Sequence, residues 1–326
     1  MSSALDLSLA ILNGLVGDHL VRTRNGLATE LSFYDRGRPL PATRDALSRA
    51  LPAPSQKAVI LVHGLMCTES VFRMPDGEDY GSLLERDLGY TALRVRYNSG
   101  RAIVDNGALL ATLVERLFEV YPAPLEELSF IGFSMGGLVV RAMCHTAHQS
   151  KMPALERVKR AVYVGTPHRG SPLERGGRAL GSLLRRVPDP YARLAADLVD
   201  LRSDGVRDLG DADLREEDRV KSRARARLSL RDPRHPVPLL ASIEHSLVAG
   251  ALWDDPRFAL WFGDSLVPVP SATADLCADR ASLSLSPDHV KILRGFSHTR
   301  LAHDREVYDA ISAWWSARRA EHEVRG

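Results

Sequence analysis

The stretch from Leu128 to Val140, Leu-Ser-Phe-Ile-Gly-Phe-Ser-Met-Gly-Gly-Leu-Val-Val, limits what this chain can fold into more than any other. An apolar run ends in Gly-Phe-Ser-Met-Gly, and an apolar pattern that suits a helix begins at once. That order reads as strand, sharp turn and helix, with Ser134 at the tip. A turn so tight brings the chain before and after it close together. Gly132 and Gly136, two residues either side of Ser134, leave the room because they carry no Cβ.

Such a turn at the end of a sheet strand has the form of a nucleophile elbow, in which a strained backbone presents a serine hydroxyl. Alone the pattern decides little. With Gly and Ser each near 7% of residues, Gly-x-Ser-x-Gly arises by chance in about one chain in ten of this length. A glycine-rich turn that merely packs well is the bland alternative, so the rest of the chain has to decide.

At 326 residues the chain can bury a large core, and its 44% hydrophobic and 26% charged residues are ordinary for a soluble protein. A net charge of +2, from 43 basic and 41 acidic residues without interleaved aromatics, argues against a nucleic-acid partner. Cys67, Cys144 and Cys277 are far apart and odd in number, which indicates neither a zinc site nor a disulfide framework. Buried reduced thiols and a cytoplasmic location fit best. No apolar run reads as long enough to span a membrane. The segment Leu5–Gly17 lacks a basic leader and is interrupted by Asp6 and Asn13, which disfavours a signal peptide. It suits an amphipathic helix, packed on the body or in peripheral contact with a membrane surface.

Continuous apolar runs mark strands buried on both faces of a parallel sheet. Ala58–Val62 is one, leading into His63-Gly64-Leu65; further strands are expected over Thr91–Tyr97, Leu128–Phe133 and Val158–Val164. Between them, Tyr80–Leu88, Asn106–Val120 and the stretch from the elbow to about His148 read as helices. Leu109, Leu110, Leu113, Leu117 and Val120 are expected on the inner face of the second. A short antiparallel strand is expected within Leu27–Tyr34. The alternation breaks from Pro172 to His235, where the sequence is helical in pattern and highly charged. Strands resume at His245–Gly250 and His289–Leu293, a short helix is expected after Asp255-Pro256, and a last one over Val307–Trp315. The chain therefore divides into an N-terminal helix and lead-in over 1–54, an α/β core over 55–171 and 236–326, and a helical cap or lid inserted over 172–235. The fold class is α/β, a doubly wound and mostly parallel sheet.

A serine hydroxyl needs a base, and in a parallel sheet the loops that can converge lie at the strands' carboxyl ends. His289 opens the last strand, at the wrong end. His298 follows that strand and is the expected base, with His303 as rival. The acid should follow the preceding strand, where Asp254, Asp255 and Asp264 qualify by position. Asp255 precedes a proline at a helix start, which a capping role explains. Asp264 has no helix to cap and is preferred. The oxyanion is expected to meet the backbone N–H groups of Met135 and Leu65, with Met66 next in line. The His63 side chain is read as a brace for its own loop. Met66, Asn98, Asn106 and His168 are candidates for touching substrate, with loop bracing as the simpler role.

The elbow Gly132-Phe133-Ser134-Met135-Gly136-Gly137, the His63-Gly64-Leu65 loop and the order Ser134, Asp264, His298 resemble the α/β-hydrolase superfamily. Within it, Gly165-Thr166-Pro167-His168-Arg169-Gly170-Ser171 and Gly263-Asp264-Ser265-Leu266-Val267-Pro268 are similar to bacterial lipases and esterases near the GPI inositol-deacylase-like group. The resemblance covers roughly residues 55 to 315. It implies an α/β-hydrolase fold, a Ser134–His298–Asp264 triad, hydrolysis of carboxylic esters, and neither cofactor nor metal. Phe133 departs from the pattern, since many relatives carry histidine there. The sequence leaves the substrate open between a lipid and a small ester. An acyltransferase or thioesterase with the same triad, or a binding protein with the triad disengaged, are the alternatives. Oligomeric state is not legible.

Overall fold

The computed structural model describes residues 4–168, 203–211, 237, 239–252, 264, 266–267, 269–273 and 287–323. Most of the expected cap, the rival acids Asp254 and Asp255, the helix expected after them, and Cys277 lie outside the described residues.

The strands are β1 (Ser32–Asp35), β2 (Arg38–Leu40), β3 (Lys57–Val62), β4 (Thr91–Arg96), β5 (Glu127–Phe133), β6 (Val158–Val164), β7 (Glu244–Ala251) and β8 (Val290–Arg294). The helices are α1 (Ala4–Arg22), α2 (Arg44–Ala50), α3 (Tyr80–Leu88), α4 (Ile103–Val120), α5 (Met135–Gln149), α6 (Asp204–Asp211), α7 (Val269–Ala272) and α8 (Arg305–Glu323). One eight-stranded sheet runs β2-β1-β4-β3-β5-β6-β7-β8. From β4 to β8 every pairing is parallel, and β1 is antiparallel to both β2 and β4. The chain steps from β3 outward to β4, then crosses back over β3 to β5, so the strand order reverses at β3. Ligands of open α/β sheets bind at the carboxyl ends beside such a reversal.

The apolar runs are continuous because both faces of the sheet are covered. Ala58, Ile60 and Val62 of β3 pack in one layer with Leu110, Val114 and Leu117 of α4 and Leu138 and Ala142 of α5. Val59 and Leu61 point the other way, into a layer with Leu83 and Leu84 of α3 and Val307 and Ile311 of α8. A period of two along the strand assigns each side chain to its layer.

Two expectations about helices are corrected. The inner face of α4 is Ile103, Gly107, Leu110, Val114 and Leu117, while Leu109 is exposed. Gly107 fixes that phase: a Cβ there would lie 2.5 Å from the Ala142 Cβ, so α4 and α5 touch where the side chain is missing. The second correction concerns α1, which by length and composition alone is apolar enough to cross a membrane. Yet Asn13, Gly14, Leu15, Gly17 and Leu20 are buried against the body. A Cβ on Gly17 would fall 1.8 Å from Asn98 Oδ1, and one on Gly14 would fall 2.4 Å from Met66 Cγ. Asn13 donates to Leu27 O and accepts from Thr29 N–H, both at 2.9 Å.

Near the start of α1, Asp6 reaches Arg96 at 3.1 Å, and Arg96 in turn forks onto Glu69 at 2.6 and 2.7 Å. With Arg96 and Glu69 nearly buried, loss of either partner would leave a costly unpaired charge. Of the expected insertion, residues 203–211 rest on the loops after β4 and on α1. Ser203 Oγ donates to Gly14 O at 2.7 Å, and Ile103 N–H donates to Asp208 Oδ2 at 2.9 Å. Asp208 thus caps α4, whose own Ala102 has no side-chain oxygen to do so.

Candidate active site

Ser134 sits between β5 and α5 with φ 53° and ψ −126°, a backbone conformation that L residues rarely adopt. The surroundings enforce it. Ser134 N–H donates to Val164 O at 2.8 Å, and its carbonyl accepts from Gly137 N–H at 3.0 Å. A Cβ on Gly132 would lie 2.6 Å from Gly137 Cα, and one on Gly136 only 2.2 Å from Val62 O. Both glycines are therefore required by close backbone approach. Gly136 also presses the first turn of α5 against the end of β3, which brings the Met135 amide beside the His63–Leu65 loop.

Ser134, His298 and Asp264 form one hydrogen-bonded line. His298 Nε2 is 2.9 Å from Ser134 Oγ, and His298 Nδ1 is 2.7 Å from Asp264 Oδ2. Asp264 is fully buried and His298 nearly so. The other carboxylate oxygen of Asp264 accepts the N–H groups of Leu266 and Val267, at 3.0 and 2.9 Å. Both carboxylate oxygens are therefore engaged, and His298 N–H donates to Asp264 O at 3.0 Å, joining the two loops directly. Since Asp264 accepts at Nδ1, the Nδ1–H tautomer leaves the Nε2 lone pair facing the serine. The Phe133 ring lies 5.0 Å from that of His298, so the residue where many relatives were expected to carry histidine packs against the expected base.

His289, which position disfavoured, and the rival His303 lie elsewhere. His289 precedes β8 and contacts Ser246 Oγ at 3.0 Å, and His303 follows a single helical turn after His298. Beside the serine, the Met66 N–H donates to Ser99 Oγ at 3.0 Å, while Leu65 and Met135 N–H have no acceptor among the described residues. Of the three expected oxyanion donors, Met66 is thus already engaged. Asn98, an expected substrate contact, spends its amide on bracing: Nδ2 donates to Gly17 O and Oδ1 accepts from Gly100 N–H, both at 3.0 Å. Asn106 likewise donates to Asn98 O at 3.0 Å. His168 is buried with Nδ1 3.1 Å from Arg141 Nη1, and its ring meets Tyr163 edge-on. Burial and the Arg141 charge hold its pKa well below the usual value, so it is neutral.

His63 braces its own loop. Tyr97 N–H points at Nε2 at 3.3 Å, which makes Nε2 the acceptor and Nδ1 the donor to Gly64 O at 2.8 Å. Its ring stacks on Tyr97 at 4.3 Å. Burial lowers its pKa from the ordinary 6.5 to about 4. Between those two values the unfolded chain binds a proton that the folded chain refuses, so stability rises with pH across this window. Acidification from about pH 6.5 to about 4 should therefore cost on the order of 3 kcal/mol from His63. His245, lowered to about 4 by burial, adds an effect of the same sign. Urea unfolding measured across that window should show the slope, and it should flatten in His63→Asn.

Cys67 is no rival nucleophile. Its thiol donates to Leu65 O at 3.3 Å, and burial pushes its pKa up to about 12. Among the described residues no group of three His, Cys, Asp or Glu side chains has metal-binding geometry. Sequence reasoning missed Ser99, whose only visible signal was its place in the polar turn closing β4.

Solved structures that overlap this chain include the mature Bacillus licheniformis lipase BlEst2, at 17% identity and TM-score 0.49, covering 80% of this chain and 92% of that one. The Pyrococcus furiosus esterase Pf2001 overlaps at 14% identity and TM-score 0.46, covering 81% and 82%. A lipase-esterase related protein from Clostridium acetobutylicum overlaps at 13% identity and TM-score 0.44, covering 81% and 94%. No curated protein matches. Residues 54–178 match the family described as "Putative serine esterase (DUF676)", a match that does not single out the inositol-deacylase-like group. That segment runs from just before β3 to beyond β6 and carries the elbow and the His63–Leu65 loop, within a mostly parallel α/β sheet covered by helices on both faces.

Proposed function

We propose that the chain cleaves carboxylic esters through a covalent acyl-enzyme on Ser134. The hydrogen-bonded line Ser134–His298–Asp264, with contacts of 2.9 and 2.7 Å and the serine in a strained turn, carries this reading. His298 Nε2 takes the hydroxyl proton as Ser134 Oγ attacks the ester carbonyl. Asp264 keeps the ring in its Nδ1–H tautomer and stabilises the imidazolium. In this mechanism the amides of Met135, at the positive end of α5, and Leu65 hold the oxyanion. As the tetrahedral species collapses, His298 returns the proton to the leaving alcohol. Water then enters, is deprotonated by the same nitrogen, and releases the acid and free Ser134.

The engaged Asp264 carboxylate supports a working triad over a disengaged one, because its two lone-pair sets are already directed at His298 and at two backbone amides. The test is labelling with a fluorophosphonate, followed by hydrolysis of p-nitrophenyl esters of graded acyl length. An adduct on Ser134 and saturable ester turnover are the expected results. Absence of both would overturn the reading. A rate maximum at long acyl chains would assign a lipid substrate, and one at short chains a small soluble ester.

A further inference from the structure

Two neighbouring amides in the loop after β3 have different fates. Among the described residues Leu65 N–H has no acceptor, whereas Met66 N–H donates to Ser99 Oγ at 3.0 Å. Met66 has φ 57°, the left-handed region that a residue with a side chain avoids unless something holds it there. This turn rotates one amide toward Ser99 and leaves the preceding one without an acceptor among the described residues, in the loop beside Ser134. A Cβ on Gly64 would lie 3.0 Å from Ser134 Cβ, so the loop is already in contact with the nucleophile.

Ser99 itself is fixed from several sides. It is 1% exposed. Its turn is held by Asn98 Nδ2 on Gly17 O, by Asn106 Nδ2 on Asn98 O, and by Gly205 N–H on Gly100 O, each at 3.0 Å. A Cβ on Gly205 would fall 2.2 Å from Ser99 O. On the far side, Gly14 of α1 seats the Met66 side chain. The acceptor is thus restrained on both sides of its turn.

We propose that Ser99 is a positioning residue for ester cleavage, holding Met66 in its left-handed turn so that the Leu65 amide faces the developing oxyanion. This rests on the reading of Leu65 and Met135 as the oxyanion donors. Without the Ser99 hydroxyl, a part-buried N–H loses its acceptor and the strained turn loses its restraint. The Leu65 amide then leaves its aim, which weakens a contact made in the transition state and not one made with bound substrate.

The test is steady-state hydrolysis of p-nitrophenyl butyrate by wild type, Ser99→Ala and Ser99→Thr. Rates are taken per active site, counted by fluorophosphonate labelling carried to completion. Ser99→Ala should lower kcat about 10- to 100-fold, less than outright removal of an oxyanion donor, with KM within about 2-fold. Inhibition by a trifluoromethyl ketone, which forms a tetrahedral oxyanion adduct on the serine, should weaken by the same factor. Ser99→Thr keeps the acceptor oxygen and should stay within about 3-fold of wild type. A wild-type kcat per labelled site in Ser99→Ala would overturn the proposal, even if fewer sites label because less protein folds. A loss confined to KM would overturn it too. A wild type that neither labels nor hydrolyses the ester would overturn both this and the esterase reading.

Discussion

Ser134→Ala is expected to lower kcat for ester hydrolysis by about 10^5-fold, leaving the residual catalysis that oxyanion donors and binding provide. The fold should survive the change. The backbone bonds of residue 134, its N–H to Val164 O and its carbonyl to Gly137 N–H, do not involve the side chain, and Oγ touches only His298 among the described residues. Thermal unfolding followed by circular dichroism should therefore overlay on wild type while ester turnover disappears. A variant retaining a tenth of the parent rate would show that the nucleophile lies elsewhere.

Asp264→Asn should cost about 10^4-fold in kcat, for a reason that the hydrogen bonds around the carboxylate make specific. Oδ1 accepts two backbone N–H groups, from Leu266 and Val267, and an amide NH2 placed there would face two donors. The asparagine oxygen must stay on that side. Its NH2 then points at His298 Nδ1, which has to accept, and the ring proton moves to Nε2. The imidazole would donate to Ser134 when it ought to accept. Raising the pH does not restore this tautomer, so the defect should persist across the alkaline range. A loss smaller than about 10-fold would mean that the His298 tautomer is set by another group.

How much of this was legible in the sequence depended on what each residue buries. The central strands stood out because Ala58–Val62 and Leu128–Phe133 serve two apolar layers and carry no polar alternation. The edge of the sheet did not. β2 and α2 are short, half-exposed and polar, and they leave no periodicity in the lead-in. The Ser134, Asp264 and His298 set was legible from elbow spacing and from which strand ends share an edge. The supports around it were not, because they are made of small residues. Counting leucines put Leu109 on the inner face of α4, whereas contact with α5 is made through Gly107 against Ala142. In the same way, α1 docks through Gly14, Gly17 and Asn13, the last of which read only as an interruption of an apolar stretch. Close backbone approach leaves almost no compositional trace.

The hydrogen bond between His298 and Ser134 joins positions 164 residues apart, and the one between His298 and Asp264 spans 34. Closing so long a loop is an entropic cost that only the completed sheet offsets, since β6, β7 and β8 must pair before the base can reach the serine. A nascent or partly unfolded chain therefore carries a hydroxyl with no base, as inert as any other serine. On the proposed mechanism, chemical reactivity at this position is expected to work as a conformational reporter. Uptake of a fluorophosphonate would then count the molecules that have finished folding, and its time course after dilution from denaturant would follow the arrival of the last strand.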